Sequence, residues 1–76
     1  MKIILLDTNI YGLALEKKDV AKILISFADE KLKPQKEYAV LGSEIINDEI
    51  NANPNREART RLNELYQIVI SGEIRL

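Results

Sequence analysis

The chain contains no cysteine and no histidine. Without cysteine there is no disulfide, no thiolate metal ligand and no thiol nucleophile. Without histidine, every mechanism that uses imidazole as base or ligand is excluded. Chemistry is left to carboxylate, hydroxyl, amide, lysine and arginine. An excess of either charge is missing too: the formal net charge is −1. No global basic field therefore advertises nucleic-acid binding, and none forbids it. Long hydrophobic runs are absent as well, the apolar opening being too short for a signal-peptide core or a membrane span. A soluble, cytoplasmic protein with no membrane contact is expected. At 76 residues one small core can form, but such a chain is marginal without a metal or a partner.

What is present begins with "MKIILLDTNIYG". Ile3 to Leu6 form a continuous apolar run, the pattern of a strand buried on both faces of a parallel sheet. "TNIYGLALEKK" reads as a short helix. In "DVAKILISFADEKLK", Val20, Ile23, Leu24, Phe27 and Ala28 follow the three-and-four spacing of an amphipathic helix, closed by Pro34. "YAVLGS" is a second strand, and Ser43 is a natural N-cap for a third helix, "EIINDEIN". "NANPN" is a turn. Asn55 caps a fourth helix whose apolar stripe is Ala58, Leu62, Leu65, Tyr66 and Val69, with Gly72 ending it. "EIRL" starts a third strand. Helical crossovers between apolar strands imply a parallel α/β sheet in a single domain.

Ligands of parallel α/β folds bind outside the carboxyl ends of the strands, where Asp7 stands. From position alone two readings remain: Asp7 or Thr8 caps the next helix, or Asp7 serves a site. The third helix carries a second candidate. At ~100° per residue, Ile45, Glu49, Ile46 and Ile50 fall within roughly 140° of arc. Glu49 is thus expected inside the apolar face, while Glu44 and Asp48 share the outer side. A carboxylate aimed at a core needs a cation, a donor or a raised pKa. A lysine, a helix N-terminus or a merely wide face would also account for it. If Asp7 and Glu49 converge, their repulsion calls for a proton or a metal between them. With only oxygen ligands to offer, that metal is a hard cation, Mg²⁺ or Mn²⁺.

"ILLDTN" followed by a helix, and then "YAVLGSEIINDEI", resembles the N-terminal half of the PIN-domain family, which includes VapC-like ribonuclease toxins of toxin–antitoxin pairs. The resemblance covers nearly the whole chain in order of elements. It implies a parallel-sheet α/β/α sandwich, here ending after its third strand, and a metal-dependent ribonuclease acting on RNA by metal-activated water. It makes Asp7 and Glu49 the catalytic metal-binding acids, with Mg²⁺ or Mn²⁺ as cofactor and an antitoxin as possible partner. Thr8 and Asn9 match positions that hydrogen-bond around the first acid, and Ser43 stands six residues before the second.

The family's remaining acids come from its C-terminal half, and no family role passes to Glu73. The 76 residues alone are therefore expected to be inactive or nearly so, and to associate as a homo-oligomer or with another chain. The alternative is a non-catalytic PIN remnant acting as a binding module. Haloacid-dehalogenase chemistry fits poorly, because Asn9 stands where that motif's second acid belongs. A response-regulator receiver needs an acidic pair near the first strand end, and only Asp7 is there. The basic residues of "EKKDVAK", with Arg56, Arg59 and Arg61, could meet RNA phosphates or simply form a solvated face. Tyr11 and Tyr66 could stack bases, although the spacing of Tyr66 suits the core.

Overall fold

The computed structural model describes residues 1–74. Strand β1 (Lys2–Leu5) leads into helices α1 (Thr8–Glu16) and α2 (Lys18–Glu30), then β2 (Tyr38–Ser43). Helices α3 (Glu44–Asn51) and α4 (Arg56–Val69) lead to β3 (Gly72–Ile74). All strand pairs are parallel, in the order β1-β2-β3. The class is α/β, as the alternation of strands and helices implies. Of the expected "EIRL" strand, Glu73 and Ile74 lie in β3, and residues 75 and 76 lie outside the described residues.

Local chemistry accounts for most element ends. The Ser43 hydroxyl accepts from the Ile46 amide at 3.2 Å, and Asn55 Oδ1 from the Ala58 amide at 3.0 Å, each closing a helix N-terminus. Helix α2 stops at Glu30, short of Pro34. The nearly buried Glu30 carboxylate, 3% exposed, binds Lys33 Nζ at 3.0 Å and the Glu37 amide at 3.3 Å. This anchors the following loop. The hydrogen bond from Lys33, opposed by burial and helped by the Glu37 amide, holds the Glu30 carboxyl below its usual range. Its stabilising effect is present near neutrality and is lost as pH falls through the carboxylate range. Helix α4 ends at Val69 rather than at Gly72, because Ile70 is already extended. Gly72 instead opens β3.

One face of the sheet carries the core. Tyr11 and Ala14 from α1, Leu24 from α2, Ile50 from α3, and Leu62, Tyr66 and Val69 from α4 cluster around Val40 of β2. Burying each large apolar side chain contributes about 1.5–3 kcal/mol. The opposite face is open: Ile3 is 54% and Leu5 59% exposed, while Ile4 between them packs on the core. β1 is therefore not buried on both faces, and the described residues form two layers rather than a three-layer sandwich. The reason is topological. Right-handed crossovers taken in one direction across a sheet place their helices on the same side. The 15 Å short dimension of the molecule fits two layers. Ile23, expected in the apolar stripe of α2, is also exposed. Among the described residues no helix is long and apolar enough to cross a membrane.

The tightest contact joins α4 to β2. Tyr66 lies directly over Gly42, where an added Cβ would collide with its ring and hydroxyl. Its hydroxyl donates to the Ser43 carbonyl at 3.2 Å. Its ring meets Tyr11 edge-on, with centroids 5.5 Å apart and planes at 76°. Tyr11 is fully buried and so unavailable for base stacking. Its hydroxyl has no hydrogen-bond partner among the described residues.

Two outcomes follow from this packing. Gly42→Ala should lower stability by about 1–3 kcal/mol through overpacking, read as a drop in the urea midpoint. The second concerns alkaline pH. Burial, and then Tyr66, push the Tyr11 phenol up to about 12, against about 10 in an unfolded chain. Below about pH 10 the phenol is neutral in both states. Between about 10 and 12 the unfolded chain ionises while the native one resists, so native stability falls as pH rises. Tyr11→Phe should therefore shift alkaline unfolding, followed by circular dichroism, to higher pH.

Candidate functional site

Parallel pairing of Leu5 with Leu41 brings the carboxyl ends of β1 and β2 to one edge of the sheet. Each strand passes into a helix there, so this edge collects the residues that start α1 and α3. Asp7 occupies the N-cap position of α1 with extended backbone, φ −69° and ψ 151°, but its side chain caps nothing. The helix is closed by its backbone carbonyl instead, which accepts from the Ile10 amide at 3.0 Å. The Asp7 carboxylate is exposed, and Asn9 Nδ2 donates to its Oδ2 at 3.4 Å. This is a long contact that orients more than it stabilises. Of the two readings open from position, a side-chain cap is not what the geometry contains. The buried hydroxyl of Thr8 has no hydrogen-bond partner among the described residues.

Helix α3 docks differently from the expectation. Its buried side is centred on Ile50, fully enclosed, with Ile46 and Asn47 half-buried beside it. Ile45 is 58% exposed, and Glu49 is exposed with it. Glu49 therefore lies at the margin of the packed face and not inside it. The apolar arc was wide enough to dock by either side. Contact with α4 and β2 selected the Ile46–Ile50 side, which leaves the Glu49 side chain hydrated. Glu44 and Asp48 are exposed, as expected.

The edge thus displays Asp7, Thr8 and Asn9 at the end of β1 and Ser43 as a working N-cap at the end of β2, while Glu49 lies further along α3. At about 1.5 Å rise per residue, Glu49 stands roughly 9 Å along the helix from Ser43. No hydrogen bond or ion pair links Asp7 to Glu49 among the described residues. Nor do the described residues contain a cluster of three or more acidic side chains placed to hold a metal.

Two depressions flank this edge. One runs along α1 past Thr8, Asn9, Gly12 and Glu16 to Asn53 in the α3–α4 turn. The sequence reading had no role for Glu16 or Asn53. The signal for Glu16 was its helical spacing from Asn9 through Gly12 and Leu13, whereas nothing local pointed to Asn53. The other depression gathers Glu44, Asn47, Asp48 and Glu73. It brings Glu73 beside the pair on α3, a juxtaposition that depends on β2–β3 pairing and is invisible in the sequence. Burial, and then the nearby Glu73 carboxylate, push the Tyr66 phenol upward.

No family model matches the chain, and neither a curated protein nor a solved structure does.

Because the Asp7 side chain caps nothing and that of Ser43 does, the two should respond differently to truncation. Ser43→Ala should cost about 1 kcal/mol through the lost cap. Asp7→Ala should stay within about 0.5 kcal/mol of the parent. Urea unfolding of both variants checks this.

Proposed function

We propose that this chain carries the first two acids of a PIN-type, Mg²⁺- or Mn²⁺-dependent ribonuclease, the toxin of a toxin–antitoxin pair. The observation that supports it is Asp7: a carboxylate at the carboxyl edge of a parallel sheet, exposed, and free of the capping duty its position invites. Glu49, exposed on α3, is the second acid of this reading. Carboxylate oxygens suit a hard cation, and two of them leave most of its coordination to water and substrate phosphate. When bound, such an ion supplies positive charge to a phosphodiester and acidifies a water molecule. Asp7 and Glu49 would hold it, and Asn9 would keep the Asp7 carboxylate turned toward the edge. Exposure on the sheet edge leaves room for an RNA backbone.

A second reading has its own support. The described residues bring no third carboxylate to Asp7 and Glu49, and β1 exposes apolar side chains on the side of the sheet away from the helices. Both features suit a non-catalytic remnant that binds a protein partner such as an antitoxin.

Mn²⁺ binding, read by water-proton relaxation, separates the two. The first reading expects binding that weakens about tenfold or more in Asp7→Asn and in Glu49→Gln, and is unchanged in Glu44→Gln. Mn²⁺-dependent cleavage of a fluorogenic RNA should follow the same order in any form of the chain that cleaves. A protein that binds no Mn²⁺ supports the remnant. Loss in Glu44→Gln alone would move the site to the Glu44–Asp48–Glu73 depression.

A further inference from the structure

β1 is an edge strand whose outer side has no neighbour among the described residues. The ladder shows which groups it presents there. The Lys2 amide donates inward to the Glu37 carbonyl at 2.9 Å, and Lys2 and Ile4 stand opposite Tyr38 and Val40. Backbone groups alternate sides along a strand, so the N–H and C=O of Ile3 and Leu5 point outward, unpaired. The side chains of these same two residues are the exposed ones of the open face. Nothing on this edge blunts it: it has no proline, no bulge and no charge between Lys2 and Asp7.

We propose that this edge pairs with a second copy of the chain, β1 running antiparallel to β1 about a two-fold axis through Ile4. Several observations choose this occupant and register. A two-fold axis perpendicular to the sheet keeps each residue on its own face, so opposed residues must share a face. Centring on Ile4 sets Ile3 against Leu5 of the second copy, twice, and Ile4 against itself. Ile3 and Leu5 then exchange all of their outward N–H and C=O groups as hydrogen-bonded pairs. Their exposed side chains meet across the new seam, each shielding the other from water. Charge complements the pairing: the strand has a cation, Lys2, at one end and an anion, Asp7, at the other. Antiparallel self-pairing brings each Lys2 end to the Asp7 end of the other copy, whereas parallel pairing would set like charges together. The sheet becomes continuous across both molecules. The inference does not rest on the metal reading.

Sedimentation equilibrium of the chain over a concentration series tests it. A monomer–dimer equilibrium is expected, weakening as salt is raised. Leu5→Pro removes only an outward N–H and leaves the β1–β2 ladder intact, so it should raise the dimer dissociation constant about tenfold or more. Should circular dichroism show Leu5→Pro unfolded, Leu5→Lys, which puts a charge on the seam, is expected to do the same. Lys2→Glu and Asp7→Lys should each weaken the dimer, and the double variant should restore it. A wild-type chain monomeric throughout the series overturns the proposal, as it would if another segment or partner were the natural occupant of the edge. So does a folded proline or lysine variant that dimerises like the parent, or a double variant weaker than either single one.

Discussion

Tyr66 lying across Gly42 is the contact on which the rest of the arrangement turns. A ring can lie against a strand backbone only where no Cβ intervenes, and Gly42 provides that opening one residue before β2 ends. From there the phenol reaches the Ser43 carbonyl, while Ser43's own hydroxyl starts α3. The same ring meets Tyr11 of α1 edge-on. One side chain thereby joins the end of β2, the start of α3 and the body of α1. Those are the elements that carry Ser43 and Glu49, together with the helix that follows Asp7.

The sheet illustrates how connectivity decides exposure. Ile3 and Ile4 have nearly the same side-chain chemistry, yet Ile4 packs on the core while Ile3 is 54% exposed. Alternation separates them by face, and the direction of the two crossovers decides which face receives helices. With β1-β2-β3 laid down in one direction, both crossovers fall on the Val40 side. The free edge of β1 and the uncovered face beside it have this single origin. Backbone groups of Ile3 and Leu5 point along the sheet while their side chains point off it, so both lie at the surface.

At the candidate site the electrostatics are those of the surface. Asp7 and Glu49 stand in water, so the carboxylate oxygens of each remain accessible. Glu30 is the contrast. It is almost wholly buried, and it is tied to Lys33 and to the Glu37 amide. That carboxylate holds a loop in place and has no opening onto the sheet edge.

The sequence by itself determined the alternation of strands and helices, the parallel pairing it implies, and the two side-chain N-caps. These rest on information within a few residues: apolar period, a hydroxyl or amide before a helix, an asparagine–proline turn. It also placed Asp7 at a strand end, because strand and helix meet there in consecutive residues. Which flank of α3 would be buried was not local. Ile45, Ile46 and Ile50 offered an arc wide enough for either orientation, and docking on α4 and β2 chose Ile46 and Ile50, turning Glu49 outward. The grouping of Glu73 with Glu44 and Asp48, and the open face of β1, were likewise decided only in the tertiary structure. A residue's period is written in its neighbours, but its burial depends on which distant segment the topology brings against it.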